Sequence, residues 1–250
     1  MSLPHHLSPA VREPGTENPA VTRRLLDAYL ASALTGLDSE QRTHLFDISD
    51  TVAEVCLRHD VRLYEPRKVT DPVHHTSVPD VEVFRTDRHR VIRSDFLVYL
   101  AHHPSTGAGQ ELVFAQEAVV PILVIAHMDT RISRMVTGIP GPLTLVRYGS
   151  VAELGKRLDQ EIGELRPQLL RRREAVERLD ENRVGARMRA LREQRGMTRR
   201  QVAEATRIPG AFGAEQLREW EQHSDRLNNL SLALLEEIAF ALGVSVRDLL

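Results

Sequence analysis

Cysteine occurs once in this chain, as Cys56, and lysine twice, as Lys68 and Lys156. A single thiol excludes an internal disulfide and any zinc site built from cysteines. Long apolar runs are missing too. The longest, Ala118 to Ala126, is interrupted by Pro121 and is far too short to span a bilayer. Met1 to Pro19 holds prolines and histidines but no continuous apolar core, which argues against a signal peptide. These absences lead us to expect a cytoplasmic protein without membrane association. Nothing in the sequence asks for a cofactor or a metal.

What is present is arginine, unevenly placed. The net charge over 250 residues is -2, yet from Arg166 to Arg200 twelve arginines face five acids, a local balance of +7. Such a stretch suits an anionic partner such as DNA phosphate; the alternative is a solvated helix face.

The patterning divides the chain. Residues 1–20 lack periodicity and read as a flexible tail. Residues 21–150 alternate short apolar runs with helical stretches. Strands are expected at Ala28–Leu34, Val61–Tyr64, Val81–Phe84, Phe96–Ala101, Val119–Ala126 and Leu143–Tyr148, and helices at Asp47–Arg58 and Gln110–Ala118. Alternation of this kind predicts an α/β domain, a Rossmann-like parallel sheet with flanking helices. Residues 151–182 read as a helical linker broken near Pro167, and 183–250 as an all-α domain.

The helices of that last domain are legible from their ends. Val184, Met188 and Leu191 recur at helical spacing, and Gly196 can close their helix in a left-handed conformation. Thr198 caps the next helix with Gln201 in capping-box position. A third helix, Ala214–Gln222, buries Leu217 and Trp220, while Ser231 and Gly243 bound a fourth and Ser245 caps a final turn. The segments MRALREQRGMTRRQVAEAT, LREWEQ and LLEEIAFALGVSVRDLL resemble the Cro and phage-repressor type of helix-turn-helix, the XRE family. That resemblance implies double-stranded DNA as partner, bound by a homodimer. It implies base reading by Gln216 and Arg218, and DNA contacts from Arg187, Arg199, Arg200 and Gln201. The turn from Ile208 to Leu217 is longer than usual for the family, and a helical interaction module is the competing reading.

In the first domain the strand Phe96–Ala101 runs into a small-residue loop with Ser105, Gly107 and Gly109, and Glu111 follows in the first turn of a helix. Small residues let a ligand approach the backbone, and a helix start favours anions. The third glycine of a dinucleotide fingerprint is missing, since Leu112 takes that place, so no NAD is expected. With YLASALTG (Tyr29–Gly36), VRLYEPRKVTDP (Val61–Pro72) and Asp95, this segment resembles the nucleoside 2-deoxyribosyltransferase-like family. The resemblance implies a nucleoside or nucleotide ligand, Glu111 as carboxylate nucleophile and Asp95 as its helper. The expected ligand-binding set is Ser32, Thr35, Gly36, Tyr64, Asp71, Asp95, Ser105, Gly107, Gly109, Glu111, Ser133 and Arg134. A first-turn acid that complements the helix dipole is the plainer reading of Glu111.

Two functional readings follow. The first is a DNA-binding transcriptional regulator whose α/β domain senses a nucleoside-type ligand. The second is an N-glycosidase or deoxyribosyltransferase that carries a DNA-binding domain.

Overall fold

The computed structural model describes residues 25–180, 184–222 and 230–250. The segment expected as a tail lies outside them. Five strands, β1 (Leu26–Ala31), β2 (Val61–Tyr64), β3 (Phe96–Leu100), β4 (Ile122–His127) and β5 (Leu143–Tyr148), form one sheet in the order β2-β1-β3-β4-β5. Every adjacent pair is parallel.

Both faces of the sheet are covered, which is why its central strands are nearly unbroken apolar runs. Side chains alternate between the faces. Leu26, Ala28, Leu30, Val98 and Ile125 pack with helices α1 (Ser39–Arg58) and α5 (Val151–Asp180). Tyr29, Ala31, Leu97, Tyr99 and Val124 pack with α2 (Asp80–Arg93) and α3 (Thr106–Glu117). A short α4 (Arg134–Thr137) follows β4.

Three expectations need correction. Val81–Phe84 is the first turn of α2, not a strand: Pro79 opens the helix, and Asp80 and Glu82 lie at its positive start. The expected linker is largely core, because Leu154, Leu158, Ile162 and Leu169 of α5 are buried against the sheet. Pro167 does not break α5. Proline costs a helix one backbone hydrogen bond and a steric clash. Here the flanking turns are anchored by buried leucines and by arginines: Arg166 donates to the His59 carbonyl, Arg172 to those of Ala118 and Val119, and Arg173 to that of Leu25. Part of the arginine surplus is therefore spent on carbonyls of this same chain.

Beyond α5 stand α6 (Val184–Gln194), α7 (Arg199–Glu204), α8 (Ala214–Gln222), α9 (Leu232–Leu242) and α10 (Val246–Leu249). They enclose a core of Met188, Val202, Phe212, Leu217, Trp220 and Ile238, among others. Gly196 and Gly243 both sit at φ +63°, left-handed as their helix ends require. The reciprocal Thr198–Gln201 box opens α7, and Ser231 caps α9. The lengthened turn before α8 is built, not loose. Glu237 of α9 accepts from the backbone of Arg207 and Ile208 at 2.7 and 3.1 Å, and Phe212 enters the core edge-on to Trp220.

Candidate active site

In the order β2-β1-β3-β4-β5 the chain reverses direction between β1 and β3, and ligands of open α/β sheets bind at such a point, outside the carboxyl ends of the strands. A cavity of about 480 Å³ lies there, in part lined by Ser32, Thr35, Ser105, Gly107 and Glu111. Two loops supply this wall. One follows β1, and the other links β3 to α3, where the Ser105 side chain caps the helix by accepting from Ala108 N.

Glu111 is held from behind by Tyr29, whose hydroxyl donates to Oε1 at 2.7 Å. The other oxygen, Oε2, is buried without a hydrogen-bond partner. Asp87 of α2 lines the same cavity, and its Oδ1 and the Tyr64 hydroxyl are likewise buried and unpartnered. Among the described residues four buried side-chain polar atoms lack a partner, and three belong to this cluster. Unpaired buried polar atoms are costly, so their convergence marks a place shaped for something other than stability. Tyr64 stacks on Tyr29 with ring centroids 5.5 Å apart.

Burial governs the acid–base chemistry. It pushes the Glu111 carboxyl up to about 8; the Tyr29 hydrogen bond opposes this and the Asp87 charge adds to it. Burial also lifts Asp87 to about 6, with Thr70 the main opposing neighbour. Two carboxyls this close titrate as a pair, and between those values the pair holds one proton. That proton rests mainly on Glu111, and its passage to Asp87 leaves Glu111 ionised beside an acid.

No family model matches the chain. One curated protein is similar to it. That relative, from Syntrophotalea carbinolica, is named Putative 2'-deoxynucleoside 5'-phosphate N-hydrolase 1 and is 33% identical over 87 residues, 34% of this chain. The match spans 61% of the relative's length. Among solved structures, a CMP N-glycosidase from Clostridium botulinum has 12% identity and a TM-score of 0.42, covering 54% of this chain and 98% of that one. A 2-deoxyribosyltransferase from Bacillus psychrosaccharolyticus has 17% identity and a TM-score of 0.40, covering 52% and 90%.

Several expected site residues lie elsewhere. Asp95 precedes β3 at the amino end of the sheet, where its carboxylate accepts from Asp27 N at 2.7 Å and pairs with Arg173 at 3.2 Å. Its role there is to fasten α5 to the sheet. Asp71 is fully buried in an ion pair with Arg42, which also donates to the Leu34 carbonyl, so it shapes the loop behind the cavity rather than lining it. Ser133 caps α4 through Met135 N, and neither it nor Arg134 lines the cavity. Gly36 (φ +73°) turns the chain after β1, and Gly109 lies within α3; neither is in the lining. Tyr64 joins the cluster from the side.

Sequence reading missed Tyr29 and Asp87. For Asp87 the signal was present: Val83, Asp87 and Val91 stand four apart, so helical spacing places a carboxylate on an inward apolar stripe.

In the C-terminal module, Arg187 is exposed on α6. Arg199 is drawn inward, 2.8 Å from Glu221, and Arg200 pairs with Glu204 at 2.7 Å. Gln201 is occupied by its capping box. Gln216 and Arg218 face a cleft shared with α2, and Arg218 pairs with Glu215. Among the described residues no helix is long and apolar enough to cross a membrane, and no group of three or more His, Cys, Asp or Glu is arranged to hold a metal.

Proposed function

We propose that this chain hydrolyses the N-glycosidic bond of a nucleoside 5'-monophosphate, with Glu111 as nucleophile and Asp87 as acid. One observation carries the reading: a buried carboxylate, fixed by Tyr29 on one oxygen and unpaired on the other, faces a second protonatable carboxyl across a strand-end cavity. The similarity to the N-hydrolase supports the substrate class, and the first-turn amides of α3 suit a phosphate.

The first step runs from the minor form of the pair, with its one proton on Asp87 and Glu111 ionised, and in it Glu111 Oε2 bonds to the anomeric carbon. The carbon–nitrogen bond breaks, its electron pair stays on the base, and Asp87 gives that nitrogen its proton. In the second step Asp87, now ionised, takes a proton from water as the water oxygen displaces Glu111 from the anomeric carbon. The products are free base and a sugar phosphate. A second base in place of water turns the same glycosyl ester to transfer.

The test is chromatography of free base released from a panel of ribo- and 2'-deoxyribonucleosides and their 5'-monophosphates. We expect cleavage of monophosphates with a bell-shaped kcat/KM. The rate falls below about pH 6, where both carboxyls are protonated and no nucleophile remains. It falls above about pH 8, where both are ionised and no acid remains. No base release from any member would end this proposal.

For the C-terminal module we propose double-stranded DNA as partner, engaged by a two-fold assembly. Its capped helices and the exposed Arg187 support this. Full-length protein should bind duplex DNA with an affinity that falls as salt rises, and Arg187→Ala, which removes one cation from each protomer, should lower the log–log slope by about two. Binding that ignores salt refutes the assignment.

A further inference from the structure

Helix α2 works on two sides. Asp80, Val83 and Asp87 line the cavity around Glu111. Arg85, Arg88 and His89 instead form one wall of a cleft of about 730 Å³, opposite Gln216, Glu219 and Trp220 of α8. Phe84 touches both spaces. The junction is polar and specific: Arg85 Nε lies 3.2 Å from Glu219 Oε1. Arg88, the residue after Asp87, lies 5.7 Å from the centre of the Phe114 ring on α3 and feels the charges of Glu117 and Glu219.

The amino-terminal half of α2 is held mainly by α3, through Phe84 and Arg88 against Phe114. Its buried residues are Val91 and Ile92, both in its last turn. Val81 and Phe84 are each about half exposed, and Phe84 meets Phe114 edge-on at 5.7 Å. Asp87 points inward from the same stretch of helix, so a movement of the outer face of α2 carries Asp87 with it. On that outer face the Arg85–Glu219 pair links α2 to α8.

We propose that the C-terminal module governs the Glu111–Asp87 site through this junction: α8 braces α2, and occupancy of the cavity and docking of α8 bias one another. A ligand that binds best with Asp87 in one position favours the α2 arrangement that sets it there, and so favours one state of the α8 contact. By reciprocity, a partner that draws α8 away alters cleavage. The inference rests on Glu111 and Asp87 being the reacting carboxylates, and it makes Arg85 and Glu219 positioning residues with no contact to substrate.

Trp220, the chain's one tryptophan, lies on α8 beside the cleft and reports on it. The experiment titrates full-length Glu111→Gln protein with a nucleoside monophosphate that wild type cleaves, following the Trp220 emission maximum. We expect a saturable shift, lost in Arg85→Glu and regained in the charge swap Arg85→Glu/Glu219→Arg. In the cleaving protein, Arg85→Glu should change kcat about two- to fivefold, the scale of one exposed ion pair. It should also move the limbs of the pH profile, which belong to the Glu111–Asp87 pair, and the swap should reverse both effects. Cleavage with no Trp220 shift, or with a shift indifferent to Arg85→Glu, overturns the coupling and leaves the hydrolase reading intact. If wild type cleaves nothing on the panel, both fall together.

Discussion

Glu111→Gln should abolish base release, by at least about a thousandfold, while the protein stays folded and becomes more stable in base. The loss follows from the nucleophile's role: an amide oxygen does not form a stable bond to the anomeric carbon, and removing a nucleophile usually costs the enzyme most of its acceleration. Glutamine keeps the acceptor that Tyr29 needs, so the fold has no reason to yield. The stability gain follows from linkage. The folded carboxyl titrates near 8 against an ordinary value of 4.5, so the folded state holds its proton more tightly than the unfolded chain does. The group costs nothing below the ordinary value, its cost grows between 4.5 and 8, and it is complete above 8. That cost is on the order of 5 kcal/mol. Thermal melts should therefore show the variant several degrees above wild type at pH 9 and level with it near pH 4.5. An equal difference at both pH values would mean that Glu111 carries no buried charge. Base release that survives the substitution would mean that another group attacks.

The second large effect lies in the other module. Glu221 has no exposed side-chain surface and accepts from Arg192 at 2.6 and 3.0 Å through both oxygens, with Arg199 a further partner at 2.8 Å. Arg192 also donates to the Met197 carbonyl, so the network ties α8 to α6 and to the turn that precedes α7. Glu221→Ala leaves a buried guanidinium without its counter-charge, and such truncations typically cost about 3–5 kcal/mol. Denaturant titration followed by Trp220 fluorescence should show an earlier midpoint of about that size. A change under about 1 kcal/mol would place the pair among ordinary surface contacts.

How much of this could be read from the chain depended on the kind of signal. Strands β3 and β4 stood out because a strand buried on both faces must be apolar at every position, and FLVYL and ILVIA are. The helix ends of the C-terminal module were legible because caps are local chemistry: Thr198 with Gln201, Ser231, Gly243. Failures came where a residue's partner is distant in sequence. Asp95 was expected in the site only through the family resemblance, but it stands at the end of β3 away from the cavity. Val81–Phe84 looked like a strand because three of its four residues are apolar. The helical period that would have exposed Asp87 needs the whole stretch to Val91. Tyr29 was inside a quoted motif, yet its pairing with Glu111 spans 82 positions and only the sheet brings them together.

The two ends of the sheet answer differently to acid and base. At the amino end, α5 is fastened by guanidinium groups on backbone carbonyls, from Arg166, Arg172 and Arg173. Guanidinium keeps its charge at any physiological pH, and a carbonyl has none to lose. At the carboxyl end, Asp87 and Glu111 change charge across the neutral range. The strands thus separate an anchorage built mainly on constant charge from a carboxyl pair whose charge varies. Protonation can change the charge at one edge while the guanidinium–carbonyl seam at the opposite edge stays shut.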